Sequence, residues 1–187
     1  MTRINLYIFA RRPEISVGKS RLKKKIGKVI GSNLYLNNLL KTLKIFYRDK
    51  RFNLKICVFP DNASKLWSKS IFPKIDRVPQ GKGNLGEKMW TILSKDRKCK
   101  IIIGSDIIGI KVKYIIEAWK KLKNNDIVLG PAEDGGFWLI GISNKKKLKF
   151  IFNNVNWNID TTLSQLKYNL TKNNISIGYI ETLKDID

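Results

Sequence analysis

The stretch RRPEISVGKSRL, residues 11–22, ends in Gly-Lys-Ser, the tail of a phosphate-binding loop. A P-loop also needs a glycine five residues before its second glycine, so that backbone N–H groups can turn onto the phosphates. Counting back from Gly18, that position is Pro13, which has no N–H and a fixed φ. A P-loop is excluded. What remains is a cationic segment in which Gly18 would allow close approach and Arg11, Lys19 and Arg21 would meet phosphate oxygens.

Acids are scarce, 15 Asp and Glu against 37 Lys and Arg, so those that follow apolar runs carry information. Asp106, in IIIGSDIIG, stands two residues past one such run. A carboxylate there suits Mg²⁺ or Mn²⁺, hard ions that prefer oxygen and bridge phosphates. The same residue could instead cap a helix or close a turn. Glu133 and Asp134, in GPAEDGGFWLIG, sit between two apolar runs, with Gly135 and Gly136 permitting positive φ or close backbone approach. A plain hairpin turn would use similar residues. The segment PQGKGNLGEKM, residues 79–89, places Gly83 before a helical start that carries Glu87. That N-terminus could receive an anion or a base edge, and a flexible loop is the alternative.

The chain contains no histidine. This removes the usual general base, the usual zinc ligand and any Ser-His-Asp or Cys-His arrangement. Chemistry resting on metal, carboxylates and cations is left: phosphoryl or nucleotidyl transfer, or glycosyl transfer from a nucleotide sugar.

These loops must be held by strands and helices. Apolar, β-branched runs at 4–9, 54–59, 100–104, 126–130, 136–142 and 175–180 read as strands. Helical spacing covers 19–30, 33–48, 86–95, 111–123 and 160–170, the last with Asp160 as its expected N-cap. The alternation predicts an α/β fold, a three-layer α/β/α sandwich with a mostly parallel, mixed central sheet, in a single domain over 1–187. Only PAEDG joins the runs within 126–142, too short for a helical crossover, so that pair is expected to be antiparallel or sharply bent.

The net charge of +22 would suit a polyanionic partner. No helix-turn-helix or zinc-finger spacing accompanies it, and the Lys-rich runs lack interleaved aromatics, so solvated faces are preferred over nucleic-acid binding. No apolar run approaches a membrane span, and residues 4–9 are too short for a signal-peptide core. Cys57 and Cys99 form no metal spacing, which with the preceding points leads to an expected cytoplasmic setting.

The segments FARRPEISVGKSRLKKKIG, QGKGNLGEKM, GSDIIGI, GPAEDGGFWLIGI and VNWNIDTTL, in that order, resemble the transferase family associated with radical-SAM and selenoprotein-domain genes, domain of unknown function 2064. That family is similar in fold to GT-A glycosyltransferases and small nucleotidyltransferases. The resemblance covers almost the entire chain. It implies a nucleotide-diphospho-sugar-transferase fold, with Lys19 and Arg21 on the nucleotide phosphates and Asp106 on the divalent metal. It also implies Asp134, Gly135 and Gly136 at the donor–acceptor junction, Glu87 facing the same cleft, and a second metal carboxylate from KDID, where Asp185 and Asp187 stand. The chain departs from the family pattern at Asn84, where Asp is usual, and at Ile107 and Ile108 after the metal aspartate.

The function expected from all this is a Mg²⁺- or Mn²⁺-dependent transferase with a nucleotide or nucleotide-sugar donor and a small-molecule acceptor. Asp134 or Glu133 would orient or deprotonate that acceptor. The alternative is a binding protein that keeps the fold without catalysis and uses its basic surface for a polyanion. Donor base, acceptor and oligomeric state are not specified by these residues.

Overall fold

The computed structural model describes residues 3–12, 26–62, 75–143, 145–157 and 159–185. Strands β1 (Ile4–Arg11), β2 (Phe52–Phe59), β3 (Asp76–Pro79), β4 (Lys100–Gly104), β5 (Ile127–Pro131), β6 (Phe137–Ile142) and β7 (Ile177–Tyr179) form one sheet. Helices α1 (Lys28–Tyr47), α2 (Leu85–Leu93), α3 (Val112–Lys121) and α4 (Thr162–Lys172) cover it. The sheet order is β3-β2-β1-β4-β6-β5-β7. All neighbours are parallel except β6, which runs antiparallel to both β4 and β5. The short PAEDG connection thus makes an antiparallel turn, for want of the chain that a crossover needs.

The strands alternate between two cores, as a period of two requires. Ile4, Leu6, Ile8 and Ala10 of β1, with Ile101 and Ile103 of β4, pack with Leu39, Leu43 and Phe46 of α1 and Ile115 and Ala118 of α3. Phe9, Ile102, Leu129 and Ile140 pack on the opposite face with Met89 and Leu93 of α2 and Leu166 and Leu170 of α4. Helices on both faces of a mixed sheet give the three-layer α/β sandwich.

Three local features differ from the sequence expectation. Strand β3, Asp-Arg-Val-Pro, pairs with β2 at the sheet edge and buries little, so no hydrophobic run marks it. Helix α1 continues unbroken through Gly31 and Ser32, both buried. The N-cap of α4 is Thr161 rather than Asp160, and the Thr161 side chain makes no capping bond to the helix amides. Among the described residues, no helix is long and apolar enough to cross a membrane.

Candidate functional site

In an open sheet of parallel strands, ligands bind beyond the carboxyl ends. Here that edge collects the ends of β1, β2, β3, β4 and β5. Its geometry is set from α1. The Tyr35 hydroxyl accepts from the Arg11 amide at 2.9 Å and lies 3.0 Å from both the Arg11 carbonyl and the Ser105 hydroxyl. One turn along the helix, the Asn38 amide donates to the Ser105 and Ile107 carbonyls at 3.0 and 3.4 Å. Helix α1 therefore pins the end of β1 and the loop after β4, on either side of Asp106.

Asp106 is half-buried in that loop. A Cβ added to Gly104 would come 2.9 Å from the Asp106 Oδ1, so the glycine leaves room for the carboxylate to fold back over the strand end. The loop is bound to the C-terminal segment: Ile107 bridges antiparallel to Asp185, and the Ile108 amide donates to the Lys184 carbonyl at 2.8 Å.

Glu133 and Asp134 occupy the exposed turn between β5 and β6. Asp134 Oδ1 accepts from the Gly136 amide at 2.9 Å, while the Ala132 amide donates to the Gly136 carbonyl at 3.0 Å. Gly135 has φ +82°, and a Cβ there would collide with the Asp160 backbone. Its carbonyl accepts from Leu163 at 2.9 Å, which docks the turn on the start of α4. The same turn is bound to the C-terminal segment through the parallel bridge between Ala132 and Leu183. Segment 183–185 thus touches both acidic loops.

On the other side of the edge, Arg11 and Lys88 flank the Phe59 ring, with the guanidinium carbon 5.9 Å and Nζ 4.0 Å from its centre. Gln80, buried, donates to the Cys57 and Ala10 carbonyls at 2.9 and 3.3 Å and knits the ends of β1 and β2 to the glycine-rich loop. Gly83, at φ +92°, makes way for the Glu87 carboxylate. That carboxylate accepts from the Asn84 amide at 2.7 Å, and Asn84 Oδ1 accepts from the Glu87 amide at 3.0 Å. This capping box places a negative group at the start of α2, which weighs against an incoming anion at that point.

The structure therefore brings together the end of β1 with Arg11, the Asp106 loop and the Glu133–Gly136 turn along one edge, with Gly83 and Glu87 at the glycine-rich loop. Gly18, Lys19, Arg21 and Asp187 lie outside the described residues. Among the described residues, no group of three or more Cys, Asp and Glu side chains converges as a metal cluster. Mg²⁺ needs fewer protein ligands, one or two carboxylates with the rest from water and substrate phosphates, and Asp106 offers one carboxylate folded back over the strand end at Gly104. Neither cysteine is poised as a nucleophile: burial raises both thiols, Cys99 to about 11.

Tyr35, Asn38, Gln80 and Trp138 support this edge, and sequence reasoning does not single them out for it. The capping box had a visible signal, Asn three residues before Glu at the head of an apolar run.

Comparison with known proteins places this geometry. The pattern of the DUF2064 family, described as an uncharacterized protein conserved in bacteria, matches residues 42–159, more than half of the chain. No curated protein matches it by sequence. Among solved structures, a Desulfovibrio desulfuricans G20 protein provisionally named a nucleotide-diphospho-sugar transferase superposes with a TM-score of 0.91 at 23% identity, over 100% of this chain and 83% of that one. A 4-diphosphocytidyl-2C-methyl-D-erythritol synthase from Anaerococcus prevotii DSM 20548 superposes with a TM-score of 0.59 at 12% identity, over 96% and 88%. A CMP:2-keto-3-deoxy-manno-octonic acid synthetase, solved with CTP, gives 0.53 at 10%, over 96% and 90%. At these identities the likeness is one of fold.

Proposed function

The chain belongs to the DUF2064 family, and from that premise we propose that it is a transferase using a nucleotide or nucleotide-sugar donor. The observation that carries the reading is the gathering of Arg11, the Asp106 loop and the Glu133–Asp134 turn at one carboxyl edge of a sheet shared with nucleotidyltransferases. Two of the structural neighbours are named for cytidylyl chemistry, which supports a nucleotide as the donor.

In this reading Arg11, with Lys19 and Arg21 of the neighbouring segment, neutralises the donor phosphates and the leaving group. Asp106 holds Mg²⁺ or Mn²⁺, with Asp185 or Asp187 as the second carboxylate. Such an ion, when bound, supplies charge neutralisation at the phosphate oxygens. Glu133 or Asp134 orients the acceptor hydroxyl or takes its proton, and Gly135 and Gly136 shape the junction where donor and acceptor meet. Gly83 and Glu87 set the course of the glycine-rich loop on the nucleotide side. Glycosyl and nucleotidyl transfer both fit these roles. We extend to this chain a cytoplasmic setting and the family's association with radical-SAM and selenoprotein-domain genes.

A thermal-shift screen of nucleoside triphosphates and nucleotide sugars, with and without Mn²⁺, tests the reading. A donor at 100 times its Kd adds about 2.7 kcal/mol of stability. A metal-dependent shift for one donor supports it. Equal shifts with any polyanion, falling steeply with salt, would instead favour the second reading, a binding protein that exploits the +22 charge.

A further inference from the structure

Strands β4 and β5 are not neighbours in the sheet, because β6 lies between them. Their acidic loops, around Asp106 and Glu133, therefore need something other than strand pairing to hold their spacing. Residues 181–185 supply it. The Leu183 amide donates to the Pro131 carbonyl at 3.1 Å, and the Glu133 amide donates back to the Leu183 carbonyl at 3.2 Å. One residue later, the Lys184 carbonyl accepts from Ile108 at 2.8 Å. A single extended stretch thus bonds both loops through its backbone.

What orients that stretch is Trp138. The register of β5 against β6 shifts here: Gly130 faces Leu139 and Pro131 faces Phe137, so Trp138 has no partner opposite. Such an irregularity re-aims a side chain. The indole turns over Gly130, where an added Cβ would lie 2.7 Å from its Cε2 and Nε1. It is 2% exposed, packed against Tyr114, and its Nε1–H donates to the Glu181 carbonyl at 2.9 Å. A buried indole N–H needs an acceptor, and here the acceptor is the first residue of the stretch.

We infer that Trp138 is a positioning residue: through Glu181 it fixes residues 181–185, and these set the spacing between the Asp106 loop and the Glu133 turn. The inference rests on the proposed roles of those two acids only for its functional meaning, and the coupling itself is structural.

The amides of Ile108 and Glu133 report it directly, since each donates to this stretch. Trp138→Phe keeps an aromatic ring and removes the N–H. Residue-resolved amide exchange is expected to accelerate at least tenfold at Ile108 and Glu133 together, with the β1 amides unchanged, and the Kd for Mn²⁺ is expected to rise at least threefold. Glu181→Ala keeps the carbonyl and is expected to behave as the parent. If Trp138→Phe does not fold, Leu183→Pro removes the amide that reaches Pro131 and is expected to release the same two reporters. Unchanged exchange, release of only one reporter, or an equal acceleration in β1 would overturn the inference. So would faster exchange with Mn²⁺ affinity intact. A parent chain that binds no Mn²⁺ would defeat the metal reading, while the exchange result still decides the coupling.

Discussion

The Tyr35 and Ser105 hydroxyls meet at 3.0 Å beneath the carboxyl edge of the sheet, both nearly excluded from solvent at 8% and 5% exposure. A phenol has one donor and two acceptor positions. The Arg11 amide and Ser105 can donate to it while its own proton goes to the Arg11 carbonyl. One helical residue thereby holds two strand ends at a fixed spacing.

Tyr35→Phe keeps the ring and deletes this junction. The expected cost is about 1–3 kcal/mol, the range for leaving buried polar groups unpaired. Urea unfolding monitored by circular dichroism measures it. A midpoint equal to that of the parent would show that the junction is not structural. The metal-dependent response to a nucleotide is expected to weaken as well, because the Asp106 loop loses one of its anchors.

The strands and the two-sided core were legible because burial leaves a mark on side chains: Ile101, Ile102 and Ile103 must all be apolar when each face of the sheet is covered. Strand β3 was illegible for the opposite reason. It lies at an edge and pairs through its backbone, so Asp76 and Arg77 can stay polar. The acids at Asp106 and Glu133 stood out because acids are rare in this chain and because they follow apolar runs. What binds those loops to each other was not visible. Residues 181–185 do so with main-chain N–H and C=O groups, which every residue possesses. Glu87 shows a third case. The family resemblance implies a cleft-facing acid there, and the capping role of its carboxylate at the start of α2 is what the structure adds.

Asp106→Ala tests the metal assignment without presupposing the substrate. Asp106 sits in a loop held by bonds that its neighbours make, Ser105 with Tyr35, the Ser105 and Ile107 carbonyls with Asn38 and the Ile108 amide with the Lys184 carbonyl, and these survive the substitution. The variant is therefore expected to fold, with a Tm within a few degrees of the parent, and to lose most of its Mn²⁺-dependent stabilisation by donor. Isothermal titration with Mn²⁺ gives the check. Parent-like affinity would remove Asp106 from the metal site.

Acid should unfold the protein in a defined window. The Lys100 ammonium bonds Asp96, assisted by the Lys98 amide, and holds its carboxyl below the ordinary range against the opposing effect of burial. At Asp126, partial burial pushes the pKa up, yet bonds from Lys146 and from the Ser176 amide and hydroxyl outweigh it. A carboxyl whose pKa is depressed on folding contributes stability that is full above its unfolded value, about 3.9. That contribution is lost as pH falls through the lower folded value. Thermal denaturation between pH 6 and pH 2.5 is expected to show Tm falling below about pH 4. The double variant Asp96→Asn, Asp126→Asn should start lower and fall less steeply. A parallel pair of curves would assign the acid sensitivity to other groups.

The turn at Gly135 gives the sharpest prediction because a second glycine serves as its control. Gly135 and Gly109 both have positive φ, +82° and +75°, so alanine is disfavoured by the backbone at either site. That conformational penalty is about 1–2 kcal/mol for a residue with a Cβ. At Gly109 nothing lies within 4 Å of the added atom, and the penalty is the whole effect. At Gly135 the Cβ would drive into the Asp160 backbone, and the neighbour cannot rotate away as a side chain could. The turn must lift off α4, breaking the bond from Leu163 to the Gly135 carbonyl. Overpacking of this kind adds about 1–3 kcal/mol. Gly135→Ala should therefore cost clearly more than Gly109→Ala in urea midpoint, and it should displace Glu133 and Asp134 while Gly109→Ala leaves them in place. Equal midpoints for the two variants would mean that the turn does not depend on its contact with the start of α4.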